Sequence, residues 1–458
     1  MSLTVQCQEW VTSRGGRGIA LAAVAVLALS PGETMAKDVF PFPVTNRVLD
    51  NGLRVVMVPF DSPGIAAYYT IVRAGSRNEV EPGKSGFAHF FEHMMFRGTE
   101  RYSGDAFNAV YRKLGSDPNA YTSDDVTVYH ALAPRDGLEQ VIDVESDRFM
   151  NLKYSESDFK QESKAVLGEY NKNYSDPENK LYEKARETAY TTHTYRHTTM
   201  GFLEDIEQMP NQYAYSGEFF RRYYTPANCV VLVVGDFDVE GTYNLIKKYY
   251  SPWKAPAAEV KVPPEPEQTA SRSAHVAWNN VTLPYVCVSF KIPAFDAKTK
   301  DSAALDLLSS LYFDETSPLY QELVIRDQKV DELSVYAPFR RDPGLFMVFA
   351  KVKDEAQLEA VRERIYQTAE EAARTPVDAK RLADVKSNVR YSFAMSLDTA
   401  RSVAGHLTRF VGLTGDPAVI NDTYRRYDEV TADDLKRVAG TYLTRARSTE
   451  VTLTGGAQ

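Results

Sequence analysis

Phe87-Ala88-His89-Phe90-Phe91-Glu92-His93-Met94-Met95-Phe96 is the stretch from which the rest of the chain is interpreted. It predicts a short helix that is capped by Ser85 and stopped by Gly98. On such a helix His89, Glu92 and His93 share one face, because residues three and four apart lie above one another. The surrounding side chains are apolar, so we expect the three polar side chains to be buried together. Their burial costs free energy unless each finds a strong partner.

A zinc ion is a partner of that kind. Two histidines one helical turn apart can ligate zinc, and a glutamate between them can act on the bound water. The order is H-x-x-E-H, the reverse of the H-E-x-x-H motif. With 7 histidines in 458 residues, this pattern arises by chance with odds of roughly one in a hundred. The alternative is a core helix whose histidines bond to local carbonyl groups.

A hydrolytic zinc site takes three protein ligands and one open position, so a third ligand is expected elsewhere. A second helix is predicted to begin at Ser155 with a capping box. Glu162 and Glu169 lie two turns apart on that helix and border its apolar face. They are the best placed carboxylates, with Glu145 and Asp147 as competitors. Spacing alone does not choose among the four.

Composition limits the class of protein. The chain is 43% apolar and 25% charged, as is usual for a soluble globular protein. A net charge of -9 with no basic stretch argues against nucleic acid as a partner. Cys229 and Cys287 lie in apolar, strand-like runs, and we expect buried free thiols rather than a disulfide.

The N-terminus has the layout of a signal peptide. Arg14 and Arg17 precede the apolar run from Ile19 to Leu29, and Thr34-Met35-Ala36 offers a cleavage site. An uncleaved anchor is the alternative. We therefore expect a periplasmic or secreted protein with no membrane span after cleavage of the signal.

Two halves of about 200 residues follow, and duplication is their simplest explanation. Residues 433–442 and 450–455 echo residues 216–224 and 230–235. We predict a signal peptide at 1–36, an N-terminal zinc-binding catalytic domain at 37–250, a proline-rich linker at 251–273, and a C-terminal homologous domain without a metal site at 274–458.

The motif and its surroundings resemble the pitrilysin and insulinase family of zinc peptidases, which includes the mitochondrial processing peptidase. His89–His93 and the segment from Gln161 to Glu169 carry the resemblance. Phe96-Arg97-Gly98-Thr99, Asn119-Ala120-Tyr121-Thr122 and Tyr224-Thr225-Pro226-Ala227-Asn228 add to it. The resemblance covers nearly the whole mature chain, in the short two-domain form. We therefore expect an α+β fold of two homologous, α/β-sandwich-like halves, each a mainly antiparallel sheet with helices packed on it.

The resemblance also implies roles for individual residues. His89, His93 and Glu169 would ligate zinc, the cofactor. Glu92 would be the general base that takes a proton from the zinc-bound water. Glu162 would hold a ligand histidine in its tautomer.

Substrate binding and partners follow from the same resemblance. Asn119 and Ala120 would lie on an edge strand that pairs with an extended peptide substrate. Active members carry an arginine and, seven residues later, a tyrosine in the second half, where Val324 and Asp331 stand here. Arg326 and Tyr336 could replace this pair at a different spacing.

Otherwise a related subunit without the zinc motif would supply the pair, with a homodimer as the second choice. The chain is therefore predicted to be a zinc endopeptidase that cuts peptides or unfolded segments in a closed chamber, as the zinc-bearing subunit of a dimer. The alternative is a non-catalytic peptide-binding or assembly subunit.

Overall fold

The computed structural model describes residues 38–256 and 260–456, so the predicted signal peptide lies outside the described residues. Two β-sheets, one in each half of the chain, organise the fold. The strands of the first sheet are β1 Thr45–Val48, β2 Arg54–Pro59, β3 Ile65–Val72, β4 Asn119–Thr122, β5 Thr127–Pro134 and β6 Cys229–Gly235. Those of the second sheet are β7 Arg272–Trp278, β8 Tyr285–Lys291, β9 Val330–Tyr336, β10 Leu345–Val352 and β11 Ser448–Gly455.

Helices pack on both sheets. Those of the first half are α1 Phe87–Met94, α2 Gly104–Lys113, α3 Leu138–Asn151, α4 Glu156–Asn173, α5 Pro177–Ala189, α6 Leu203–Gln208, α7 Tyr213–Tyr223 and α8 Val239–Tyr250. Those of the second half are α9 Asp301–Tyr312, α10 Pro318–Tyr320, α11 Leu358–Arg374, α12 Ala379–Met395, α13 Ala400–Thr414, α14 Val419–Glu429 and α15 Ala432–Tyr442. Helix α10 continues as one stretch of π-helix, Gln321–Arg326.

The two sheets have matching topologies. The first has the order β1-β2-β6-β3-β5-β4 and the second the order β7-β11-β8-β10-β9. All neighbours run antiparallel except β2 with β6 and β7 with β11, which are parallel. Counted from the β4 edge and the β9 edge, these two parallel pairs occupy the same place, as expected after a duplication; β1 is an additional strand of the first sheet. The predicted α+β fold, with two related halves and mainly antiparallel sheets, is confirmed.

Each half also covers the sheet of the other half. One face of the first sheet packs on α1, and its opposite face is covered by Val403, Leu407 and Val411 of α13, from the second half. In return Leu181 and Ala185 of α5 pack on the second sheet. Every apolar face of a sheet must be buried against another layer, and here the cover of one face is exchanged between the halves.

The two cysteines in the described part of the chain are buried and free. Cys229 begins β6 and Cys287 lies in β8, so they belong to different sheets. Burial raises the pKa of both thiols. The predicted free thiols are confirmed. In residues 38–256 and 260–456, every helix is too short or too polar to cross a lipid bilayer.

Candidate metal centre

The helix that carries the histidines is held at its N-terminus by a distant carboxylate. Gly86 precedes α1 with a φ of 90° and offers no side-chain cap. Both oxygens of Glu79 accept instead, from the backbone N–H groups of Gly86 and Ala88, each at 2.7 Å. The predicted cap at Ser85 is wrong, because the Ser85 hydroxyl donates to Asp205. Burial raises the pKa of Glu79, although the two backbone hydrogen bonds oppose the shift; these two bonds fix where α1 begins.

The other end of α1 is also fixed. The Tyr129 hydroxyl on β5 donates to the carbonyl oxygen of Phe91 at 3.0 Å. Helix α1 ends at Met94, two residues earlier than predicted. The phenyl ring of Phe90 packs edge-on against Phe159 of α4, with 4.9 Å between ring centres. This contact holds α4 beside the histidine face of α1.

Three side chains converge between α1 and α4. The Nε2 atoms of His89 and His93 are 3.2 Å apart, and each lies 3.5 Å from Oε2 of Glu169. Their ligand atoms all lie within 4.8 Å of one another. Within the described ranges, no other three histidine, cysteine or acidic side chains meet in this way. The structure thus brings together the three residues predicted as metal ligands.

The pKa values of these three groups are shifted because the groups are buried close together. Burial, aided by the charge on His93, lowers the pKa of His89 to about 3. Burial alone lowers the pKa of His93, but hydrogen bonds to Glu162 and Glu169 outweigh it and raise the pKa to about 9. Burial alone raises the pKa of Glu169, but the bond to His93 lowers it to about 2. Without a metal, a proton on His93 balances the negative charge of the Glu169 carboxylate.

This donor set fits a zinc ion. Nδ1 of His93 bonds to Oε1 of Glu162 at 2.9 Å, which leaves Nε2 directed at the cluster. The guanidinium Nε of Arg97 donates to the other Glu162 oxygen at 2.7 Å. Two imidazoles and one carboxylate are a common ligand set of catalytic zinc, and a carboxylate behind a ligand histidine is the usual arrangement. A dication would take the place of the proton between His93 and Glu169.

Glu92 lies on the same helix but bonds elsewhere. Its Oε2 accepts a hydrogen bond of 2.7 Å from the hydroxyl of Thr122, at the end of β4. Burial raises the pKa of the Glu92 carboxyl, although the Thr122 bond opposes the shift. Glu92 is therefore outside the ligand set, and its carboxyl group lies next to an edge strand.

Among the strands that the structure describes, β4 is the last of its sheet, and β5 is its neighbour. Asn119 lies opposite His130 in this pairing, and Ala120 lies opposite Tyr129. The oxygen of the Asn119 side chain accepts from the N–H of Ala120 at 2.8 Å. The predicted edge position of both residues is observed; their pairing with a peptide stays a prediction.

The competing carboxylates are used elsewhere. Glu145 bonds to Arg148 at 2.6 Å and accepts from the hydroxyl of Tyr111 at 2.5 Å. Asp147 accepts from the hydroxyl of Thr99 at 2.5 Å. Neither carboxylate belongs to the cluster that the two histidines form with Glu169.

The possible replacements for the arginine and tyrosine pair lie apart from the cluster. Arg326 leaves 70% of its side chain exposed and pairs with its neighbour Asp327 at 2.9 Å. The Tyr336 hydroxyl accepts from Arg340 at 3.1 Å. Within the part of the chain that the structure describes, no hydrogen bond or ion pair joins Arg326 or Tyr336 to α1 or α4.

Two residues of the site were missed from sequence. Glu79 caps α1 from eight residues upstream of its first residue, and Thr122 orients Glu92. The only signal for Glu79 was indirect: an acidic residue before a helix whose own cap position is a glycine. For Thr122 the alternation along β4 places it on the same face as Ala120, toward α1.

Comparison with known proteins agrees with the fold and the motif. Residues 61–202 match the family model described as insulinase (peptidase family M16), and residues 217–389 match the peptidase M16 inactive domain. Zinc protease PqqE of Helicobacter pylori is 29% identical over 439 residues, which cover 94% of this chain and 98% of that protein.

Two further relatives extend the comparison. The probable mitochondrial-processing peptidase subunit beta of Arabidopsis thaliana is 23% identical over 407 residues, covering 86% of this chain and 75% of its own length. The crystal structure of a protease from Helicobacter pylori superposes with a TM-score of 0.84 at 30% identity, covering 90% of this chain and 99% of that one. The chain therefore belongs to the insulinase family, peptidase family M16.

Proposed function

We propose that this chain is a zinc-dependent endopeptidase that hydrolyses peptides or unfolded polypeptide segments. The convergence of His89, His93 and Glu169, with Glu92 on the same helix, carries the proposal. The names of its relatives as zinc proteases support it.

The residues of α1 and α4 would divide the chemistry among them. His89, His93 and Glu169 would hold the zinc ion, and Glu162 would keep His93 oriented through its Nδ1 atom. Bound zinc polarises a water molecule and lowers its pKa toward neutrality. Glu92 would accept a proton from the attacking water and pass it to the leaving amine. The raised pKa of the buried Glu92 carboxyl suits both transfers.

Strand β4 would align the substrate. An extended peptide can add to an edge strand as a further strand, and β4 has an edge position among the described strands. Asn119 and Ala120 would pair with that peptide. Thr122, which bonds to Glu92, belongs to the same strand. The scissile bond would thus be set beside the general base.

A peptidase assay on the zinc-loaded chain tests the proposal. We expect Glu92→Gln to keep zinc and the fold but to lose activity by roughly 100- to 10,000-fold, the usual contribution of a general base. Glu100→Gln, at an exposed residue bonded to Lys153, is the matched control and should retain activity. Full activity in Glu92→Gln would refute the mechanism.

A dimer with a divided site is the second element of the proposal. Val324 and Asp331 stand where active members of the family carry the arginine and tyrosine. We infer that a related subunit without the zinc motif supplies this pair, within a closed chamber. The test compares the chain alone with the chain mixed with such a relative. Activity only in the mixture supports the divided site. Full activity of the chain alone would mean that a homodimer, or other residues of this chain, bind the substrate.

A non-catalytic peptide-binding or assembly subunit is the alternative function. The missing arginine and tyrosine favour it, and the complete ligand set argues against it. We also propose export to the periplasm or medium, from the pattern of residues 1–36. Cell fractionation followed by N-terminal sequencing tests export, and an intact N-terminus in the cytosolic fraction would refute it.

A further inference from the structure

The loop that connects β4 to β5 is bound by the second half of the chain. This loop spans residues 123–126, and the residues that bind it, 340–342, lie in the connection between β9 and β10. A terminal nitrogen of the Arg340 guanidinium lies 2.6 Å from an oxygen of Asp124. The backbone N–H of Arg341 donates to Asp125 at 3.1 Å. The second half of the chain therefore contacts the hairpin that bears the edge strand.

The next residue extends the contact to a neighbouring turn. Asp342 accepts from Arg77 Nε at 2.5 Å and lies 2.9 Å from Nε2 of His193. The backbone N–H of Arg77 in turn donates to the carbonyl oxygen of Asp124 at 2.8 Å. The loop is thus bound to the second half both directly and through Arg77.

These charges are buried. Only 3% of the Asp124 side chain and 11% of the Arg340 side chain is exposed. Asp124 is also held from its own half by Arg186 at 2.9 Å and by the hydroxyl of Ser76 at 2.9 Å. A buried ion pair adds little net stability, because desolvation offsets the attraction, but it demands one geometry. Two arginines from different halves thus fix one carboxylate.

The position of that carboxylate matters for the metal centre. Asp124 follows Thr122 by two residues, and Thr122 donates to Glu92 at 2.7 Å. Asn119 and Ala120 lie on the same four-residue strand. A shift of the loop would therefore move both the edge that faces a peptide and the partner of the general base.

We propose that Arg340 is a positioning residue, through which the second half of the chain sets the edge strand β4 and, by way of Thr122, the orientation of Glu92. The part that concerns hydrolysis rests on the proposed peptidase function. Arg340 acts through Asp124 and needs no contact with substrate or metal.

Arg340→Met tests the proposal, because it replaces the apolar stem of the side chain without the guanidinium and leaves Asp124 paired with Arg186. Arg340→Lys is the conservative variant, which can still pair with Asp124. Arg364→Met is the matched control: Arg364 on α11 pairs with Glu322 at 3.0 Å, entirely within the second half. All three are made in the full chain, and zinc content and unfolding midpoint are measured for each.

Hydrogen–deuterium exchange of residues 119–126 is the readout that does not need activity. We expect exchange there to be about tenfold faster in Arg340→Met, as for loss of one hydrogen bond to a charged group. Exchange should return toward the wild-type rate in Arg340→Lys and stay unchanged in Arg364→Met. Unchanged exchange of residues 119–126 in Arg340→Met would overturn the proposal.

Kinetics test the consequence for hydrolysis. With zinc content unchanged, kcat/KM of Arg340→Met should fall by roughly 10- to 100-fold, because small misplacements of a catalytic group are costly. Faster exchange with unchanged kcat/KM would overturn the link to Glu92. If the wild-type chain cleaves no peptide, alone or with a partner subunit, the proposed function fails, and exchange still decides whether Arg340 positions β4.

Discussion

Replacing Lys291 by methionine is expected to stabilise the folded protein. Lys291 ends β8, and only 5% of the residue is exposed. Its Nζ atom has no hydrogen-bond partner within residues 38–256 and 260–456. Burial lowers the pKa of this amine from 10.5 to about 6, although the charge of Glu265 opposes the shift. At neutral pH the folded protein therefore holds an amine that has lost its proton.

The cost of that lost proton sets the size of the effect. At pH 7 the unfolded chain keeps the proton, so the shift costs the folded state about 5 kcal/mol. The ring of Tyr190 lies 3.0 Å from Nζ, but a cation–π contact needs the charged ammonium, so the neutral amine gains nothing from it at pH 7. Methionine fills a similar volume without an amine. We therefore expect Lys291→Met to gain up to about 5 kcal/mol at pH 7.

The sign of the pH dependence is fixed by the direction of the shift. A depressed pKa in the folded state destabilises fully below the folded value and not at all above the unfolded one. The advantage of Lys291→Met should thus be greatest at pH 6 and below. It should shrink as the pH rises and vanish near pH 10.5.

Urea denaturation from pH 6 to pH 10 measures this difference. Tryptophan fluorescence reports unfolding. A chelator removes the metal, so that pH-dependent metal binding does not contribute to the measured stability. Lys351→Met is the control, since Lys351 on β10 is more exposed and pairs with Asp331 at 3.7 Å. Its effect should stay within about 1 kcal/mol. If Lys291→Met is no more stable than wild type at pH 7, or if its advantage does not shrink with rising pH, the conclusion that Lys291 is buried as a neutral amine is wrong.

Three other predictions concern the metal centre and the thiols. Glu162→Gln should weaken zinc affinity by roughly 10- to 100-fold in competition with a chelating dye; unchanged affinity would show that this carboxylate does not tune the histidine. Glu79→Ala leaves two buried backbone N–H groups without an acceptor, and should lower the free energy of unfolding by roughly 2–6 kcal/mol in urea. Glu81→Ala, in the same loop, should cost less, and equal losses would contradict the cap. Cys229 and Cys287 should react with a thiol reagent only after unfolding, and fast labelling of the folded protein would contradict their burial.

The arrangement of the candidate metal centre was largely predictable because its main element is local. The spacing of His89, Glu92 and His93 places them on one face of any helix, so no tertiary information was needed. The choice of Glu169 over Glu145 and Asp147 came from the family resemblance. It depends on how α4 packs against α1, through contacts such as Phe90 with Phe159. Periodicity identifies an apolar face but not the helix that it meets.

The cap of α1 and the exchanged helices could not be predicted from the sequence, because both depend on tertiary contacts. Glu79 reaches α1 only because the loop between them folds back, and a glycine stands at the position where a local cap is expected. The apolar stripes of α5 and α13 predict burial. They do not say that each helix packs on the sheet of the other half.

The exchange of α5 and α13 has a consequence for the order in which the protein can fold during synthesis. Domains usually fold as units, the N-terminal one first, while the chain is still being made. Here one face of the first sheet, including Tyr69 and Leu232, is covered by α13. That face stays bare until residue 414 has left the ribosome. The first half therefore reaches its final form only after nearly the whole chain exists.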